Sequence, residues 1–285
     1  MKIAVFGAGG LVGSYACKEF EENNHEVLAI SKNSSPCRAD ASDYGSLLEI
    51  IRKEKPDAVI NAIKSNLSTN RTEICMEEAW KANVTVAENL AKLQKEHGFF
   101  LVHISSDWIY EGKEGTVYTE SSIPYPQNFY SFTKAVAEER VLAAAEEALI
   151  LRPGSIFGID SKKANFFIRV KQNIEKGEKT YAARDQYSQP IFAGELARII
   201  RAATEKKIAG IYNSVGNDYM SRYELALLFC DIFGWDKNLI SPAMSSERSI
   251  KIPKYLRLDI SKLETDIMKI PALAEQVREL KEEAS

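Results

Sequence analysis

Residues 2–13 read KIAVFGAGGLVG. An apolar run enters a glycine cluster directly, and GSYACKEFEENN (13–24) continues as a helix closing at Asn24. Glycines at Gly7, Gly10 and Gly13 permit a tight turn, close approach of backbone to a diphosphate, and close packing of the helix on the strand. The first amides of that helix then face the anion. A glycine pattern alone is a weak signal. With a strand before it and a helix after it, dinucleotide binding is the expectation, and a tight structural turn is the alternative.

The pattern repeats outward from this start. EVLAIS (26–31) reads as a second strand, and SDYGSLLEIIRKEKP (42–56) as a helix with Ser42 or Asp43 as N-cap and Pro56 as stop. DAVINAI (57–63) is a strand, residues 73–97 form one long helix or two, and FFLVHISS (99–106) is a strand again. Alternation of this kind implies right-handed crossovers and a parallel sheet buried on both faces. The expected fold is α/β, with a doubly wound parallel-sheet Rossmann core and a smaller, mainly helical substrate-binding lid. KAVAEERVLAAAEE (134–147) is a helix, ALILRPGSIFG (148–158) a strand, and the rhythm then breaks until AGELARIIRAATEKK (193–207) and GIYNSVG (210–216) restore a helix and a strand. The Rossmann domain is therefore expected over 1–154 and 183–216, and the lid over 155–182 and 217–285.

With 285 residues, 45% hydrophobic and 27% charged, the chain can bury a sizeable core. A net charge of -3 argues against nucleic acid or a membrane surface as partner. Cys17, Cys37, Cys75 and Cys230 form no C-x-x-C pair, and His25, His97 and His103 are scattered, so no metal site is expected. Reduced thiols, and the lack of a secretory or membrane-spanning segment at MKIAVFGAGG, lead to a cytoplasmic expectation.

The end of the second strand selects the dinucleotide. An NAD-favouring site commonly places an acid there to hold the ribose hydroxyls, whereas this chain reads Ser31-Lys32-Asn33. A hydroxyl and an ammonium can accept a 2′-phosphate that a carboxylate would repel. NADPH is the preferred cofactor, with NADH as the alternative.

Ser105 and Ser106 leave the carboxyl end of FFLVHI, where open α/β sheets gather their ligands. YSFTK (130–134) follows, with Tyr130 and Lys134 on one helix face. If Ser106 and Tyr130 share a cleft, their hydroxyls can hold one carbonyl oxygen from two sides. Lys134 is expected to bind the nicotinamide ribose and to lower the tyrosine from a free phenol value of ~10, making Tyr130 a usable proton donor. Each residue alone has a bland reading, Ser106 as a turn or cap serine and the Tyr/Lys pair as a chance spacing.

Ser106, Tyr130 and Lys134 after a glycine-loop start resemble the Ser/Thr-Tyr-Lys set of the extended short-chain dehydrogenase/reductase superfamily. Within it, SSDWIYEG (105–112), YSFTKAVAEE (130–139), LRPGSIFG, ANFF, RDQYSQP (184–190), GIYNSVGNDYMSRYELA and LRLDISKL resemble the dTDP-4-dehydrorhamnose reductase family along nearly the whole chain. The resemblance implies an NAD(P)H-dependent oxidoreductase that reduces the 4-keto group of a nucleotide-linked 6-deoxyhexose. It carries Gly10, Leu11 and Val12 to the pyrophosphate, Asp40 and Ala41 to the adenine, and Ala62, Ile63 and Lys64 to the cofactor edge. Asp107 and Trp108 would lie by the sugar, with Asn165 and Gln186 as further substrate-side candidates. A homodimer is compatible with it.

Three departures touch substrate recognition more than hydride transfer. KSNLSTNRTEIC (64–75) is rearranged from the family's Val-Asp-x-x-Glu-like run, and Ser155 stands where a tryptophan is often found. Ile252-Pro253 replaces an Arg-Pro pair, leaving Lys254 or Arg257 as diphosphate partners. Two rival readings stand beside the reductase: an epimerase or dehydratase retaining NAD, and a non-catalytic NADP-binding regulator, since the regulatory subunit of methionine adenosyltransferase resembles the same family.

Overall fold

Apolar residues fill the strands because the sheet they form is covered on both faces. In the computed structural model, which describes residues 1–32, 37–159, 165–245 and 250–284, seven strands make the central sheet. They are β1 (Lys2–Phe6), β2 (Glu26–Ser31), β3 (Cys37–Arg38), β4 (Ala58–Asn61), β5 (Phe100–Ile104), β6 (Ala148–Pro153) and β7 (Gly210–Ser214), in spatial order β7-β6-β5-β4-β1-β2-β3. Every pairing is parallel. The order reverses direction between β1 and β4, the switch point at which such sheets bind ligands.

Local chemistry sets the helix limits. Gly10 is the N-cap of α1 (Leu11–Glu22), and the chain turns at Asn23 and Asn24, the latter with φ 63°. Asp43 caps α2 (Tyr44–Glu54) by accepting from the Ser46 amide, and Lys55 ends it in the left-handed region just before Pro56. Residues 76–97 are a broken helix. An α-turn over Met76–Trp80 passes through a π-helical turn at Lys81–Thr85 into α3 (Val86–His97), which closes on Gly98 at φ 73°. α4 (Phe129–Ala144) begins with a capping box in which the Asn128 side chain accepts from the Ser131 amide and Ser131 Oγ accepts from the Asn128 amide.

Two hydrophobic clusters flank the sheet. One joins Ile3, Val5, Val102 and Leu149 to Leu196, Ile199 and Ile200 of α5 (Ala193–Glu205), and extends to Leu256, Leu258, Leu263 and Ile267. The other packs Ala4, Phe6 and Leu101 against Leu90, Ala91, Ala137 and Val141. A third cluster unites the segment around the helix Phe166–Glu175 with Leu225, Phe229, Leu273 and Val277, anchored by Phe167 edge-on to Phe229 at 5.2 Å. Short parallel strands at Thr180–Ala183 and Ile240–Ala243 pair beside it, and Val117–Tyr118 pairs with Arg257–Leu258, so the region after residue 217 contains strands as well as helices.

Candidate active site

A cleft of about 1350 Å³ opens at the carboxyl ends of β1, β2, β4, β5 and β6. Its floor near β1 is backbone. Gly7 adopts φ 89° and donates its amide to Ile30 O at 2.9 Å, and a Cβ on Gly13 would lie 2.2 Å from Gly7 O. Only glycine fits either position, and the turn they make brings Gly10, Leu11 and Val12 at the start of α1 to the cleft.

All the cofactor candidates line this cleft: Gly7, Gly10, Leu11, Val12, Ser31, Lys32, Asp40, Ala41, Ala62, Ile63, Lys64, Tyr130 and Lys134. Ser106 and Asn165 also line it, whereas Asp107, Trp108 and Gln186 lie off its wall. Asn33 lies outside the described residues. At the β2 end, Lys32 Nζ meets Asp40 Oδ2 at 2.7 Å, and this contact, with the Ser42 hydroxyl and amide, lowers the Asp40 carboxyl to about 2.

Ser106 is the N-cap of a 3-10 turn over Asp107–Ile109, its Oγ accepting from the Trp108 amide at 3.2 Å. The cap keeps the hydroxyl at the cleft floor while turning the next two residues away. Trp108 then packs edge-on against the Tyr130 ring, with centroids 6.0 Å apart. Burial pushes the Tyr130 phenol up to about 12; the Ser106 hydroxyl opposes this and the Asp107 charge adds to it. Lys134 is 2% exposed and donates to Ile104 O at 2.7 Å. Burial, then the Lys64 charge, pulls its ammonium down to about 7. The expectation that Lys134 lowers Tyr130 is therefore corrected. Lys134 gives one hydrogen bond to the β5 carbonyl, desolvation dominates the phenol, and the result is a tyrosine that holds its proton more tightly than a free phenol.

Asp107 is 2% exposed, and burial raises its carboxyl to about 7 against the opposing Ser106 hydrogen bond and the Arg222 charge. An unfolded aspartate titrates near ~3.9. Between about pH 4 and 7 the folded protein holds a proton that the unfolded chain has released, so stability falls as pH rises across that window. Asp107→Asn is expected to flatten this slope, read as thermal midpoints of both proteins at about pH 5, 6 and 7; parallel slopes would show that the carboxyl ionises normally.

Asn165 caps the helix Phe166–Glu175 and donates to Gly158 O at 2.9 Å. Gln186 is buried, and its Oε1 has no hydrogen-bond partner among the described residues. Ser155 Oγ stands 3.2 Å from Ser188 Oγ, Lys254 is paired with Asp185 at 2.8 Å, and the Arg257 guanidinium lies over the Tyr219 ring at 5.8 Å. Sequence reasoning missed the groups that hold α4 in place. Arg152 on β6 forms a buried ion pair with Glu138 on α4 at 2.6 Å, and Ser105 Oγ donates to the same carboxylate. Asn83, in the π-helical turn, accepts from the Ser65 amide and donates to Thr133 Oγ1 at 2.8 Å. The available signal was an arginine inside the apolar strand ALILRP, which demands a buried partner.

A parallel sheet with a glycine turn beside its switch point, and Ser, Tyr and Lys lining one cleft, define a Rossmann-fold protein of the extended short-chain dehydrogenase/reductase type. The chain belongs to the RmlD substrate binding domain family, which matches it over residues 1–285. Methionine adenosyltransferase 2 subunit beta of Xenopus laevis is 30% identical over 271 residues, covering 91% of this chain and 80% of that protein. The dTDP-4-dehydrorhamnose reductase of Aggregatibacter actinomycetemcomitans is 27% identical over 238 residues, covering 81% of this chain and 78% of that protein. The crystal structure of dTDP-4-dehydrorhamnose reductase from Bacillus anthracis in complex with NADP matches with a TM-score of 0.92 at 20% identity, over 99% of each chain. No helix among the described residues is long and apolar enough to cross a membrane.

Proposed function

We propose that this chain is an NADPH-dependent reductase acting on the 4-keto group of a nucleotide-linked 6-deoxyhexose, in the cytoplasm. One observation carries the reading: Ser106, Tyr130 and Lys134 line the same cleft as the glycine turn. The turn fits a dinucleotide, because a Cβ at Gly7 or Gly13 would meet backbone and Gly10, Leu11 and Val12 at the start of α1 line the cleft. Gly7, Gly10, Leu11 and Val12 would hold the pyrophosphate, Asp40 and Ala41 the adenine, Ala62, Ile63 and Lys64 the cofactor edge, and Lys134 the nicotinamide ribose. When bound, the nicotinamide would supply the hydride that the reduction needs. Tyr130, protonated at neutral pH, gives its proton to the carbonyl oxygen as negative charge develops there, and the Ser106 hydroxyl steadies the same oxygen. In this reading residues 1–154 and 183–216 serve the cofactor, while 155–182 and 217–285, with Asp107 and Trp108, meet the sugar. Asn165 and Gln186 are assigned to the substrate side.

Lys32 sets the preference for NADPH over NADH. Its ammonium already satisfies Asp40, so a 2′-phosphate must share it. Losing one charge-assisted contact is expected to raise the NADPH dissociation constant about tenfold in Lys32→Ala while NADH changes less than about twofold, measured by fluorescence titration. An equal loss for both cofactors would assign Lys32 to holding Asp40 alone.

The deciding experiment is a panel of nucleotide-linked 4-ketosugars with NADPH oxidation followed by absorbance. Turnover of at least one member supports the reading. Binding of NADPH without turnover of any would favour a second reading, a non-catalytic subunit that keeps the cofactor cleft, which the likeness to methionine adenosyltransferase 2 subunit beta supports.

A further inference from the structure

α4 carries Tyr130 in its first turn, one residue after Phe129, where the amides of a helix lack intrahelical partners. Asn128 and Ser131 satisfy each other's amides through the capping box, but neither reaches Phe129. The Phe129 amide is taken instead by Glu73, 56 residues earlier in the chain, whose Oε1 accepts it at 2.6 Å. A short charge-assisted bond at a helix N-terminus is favoured both by the hydrogen bond and by the helix dipole. Glu73 stands at the end of a short helix over Thr69–Thr72, and its neighbours Ile74, Cys75 and Met76 line the cleft. A second tie from the same stretch runs through Asn83, which links the Ser65 amide to Thr133 Oγ1. The segment 65–83 therefore grips the first two turns of α4, at Phe129 and at Thr133, while forming one wall of the cleft.

We infer that Glu73 is a positioning residue for Tyr130: its carboxylate fixes the first turn of α4 and so the direction in which the phenol enters the cleft. The inference rests on the reductase reading for its kinetic consequence but not for its geometric one. Glu73 touches no reacting atom. Its loss leaves Tyr130 chemically intact and the glycine turn untouched, so the effect falls on turnover rather than on cofactor affinity. A displacement of the order of one ångström at a reacting group is enough to cost one to two orders of magnitude in rate.

The test compares Glu73→Ala with Glu73→Gln, which keeps an acceptor at the same reach. Glu73→Ala is expected to lower kcat about tenfold or more with the NADPH dissociation constant unchanged within about twofold, and Glu73→Gln to recover most of the loss. Wild-type kcat in Glu73→Ala, or a loss confined to NADPH affinity, would overturn the assignment. The Tyr130 ring contact with Trp108, read as a nuclear Overhauser effect, reports the geometry without turnover. It is expected to weaken in Glu73→Ala and persist in Glu73→Gln, and an unchanged contact in both would overturn the inference. Failure of the wild-type protein to reduce any 4-ketosugar would count against the proposed reaction, leaving this ring measurement to decide the role of Glu73.

Discussion

Tyr130→Phe is expected to lower ketosugar reduction by about 10²–10⁴-fold while NADPH binding stays within about twofold. The change deletes one oxygen and keeps the ring, so the edge-on packing against Trp108, with centroids 6.0 Å apart, is preserved. In the proposed reaction, what disappears is the proton that the carbonyl oxygen would receive as it becomes an alkoxide. Burial pushes the phenol up to about 12, so in the wild-type protein that proton is in place throughout the neutral range. The Ser106 hydroxyl stays in Tyr130→Phe, but an alcohol held as the cap of the Asp107–Ile109 turn is a poor proton source and steadies charge without neutralising it. Steady-state oxidation of NADPH with the best substrate of the panel, alongside a binding titration, separates the two effects. Turnover equal to wild type would remove Tyr130 from the chemistry; loss of NADPH binding would make its hydroxyl part of the cofactor site instead.

The sheet was readable because parallel strands buried on both faces appear as unbroken apolar runs, and KIAVF, AVIN and FLVHI are all of that kind. The glycine turn was readable because its constraint is backbone geometry that no other residue meets at Gly7 or Gly13. The two-residue strands at Val117–Tyr118 and Arg257–Leu258 were not, since two residues carry no period and their pairing is purely tertiary. Similarly, the π-helical turn at Lys81–Thr85 is invisible in a run of helical residues, yet it carries Asn83 to Thr133. In the site, the i,i+4 spacing of Tyr130 and Lys134 put both on one face of α4, and both line the cleft. It could not say which acceptor the ammonium would find, and the answer, Ile104 O, belongs to β5. Asp107 follows Ser106 in sequence, and it lies in the turn that Ser106 caps, beside the residues that line the cleft.

Arg152→Met should destabilise the folded protein by about 3–5 kcal/mol, a large share of the ~5–15 kcal/mol that holds a typical domain together. The guanidinium is almost fully buried. Its Nη2 and Nε bind both oxygens of Glu138 at 2.6 to 3.1 Å, and its Nη1 donates to the Tyr110 hydroxyl at 2.6 Å and to Glu120 O at 3.0 Å. Methionine fills much of the volume but leaves the Glu138 carboxylate buried with the Ser105 hydroxyl as its remaining side-chain donor among the described residues. The penalty is that of an uncompensated charge, not of a lost contact, which gives the prediction its internal control. Adding Glu138→Gln to Arg152→Met removes the charge and should restore a substantial part of the stability, whereas a simple packing defect would be made worse by a second substitution. Urea unfolding of the wild type, the single variant and the double variant, compared at equal m-values, reads the difference directly. Because Glu138 lies one helical turn beyond Lys134 on α4, the same pair ties the helix bearing Tyr130 and Lys134 to the strand that leads into Pro153 and Gly154 on the cleft wall. A double variant that regains stability but not turnover would show that the ion pair holds the helix in register; recovery of both would show that any satisfied, uncharged filling of the site is enough.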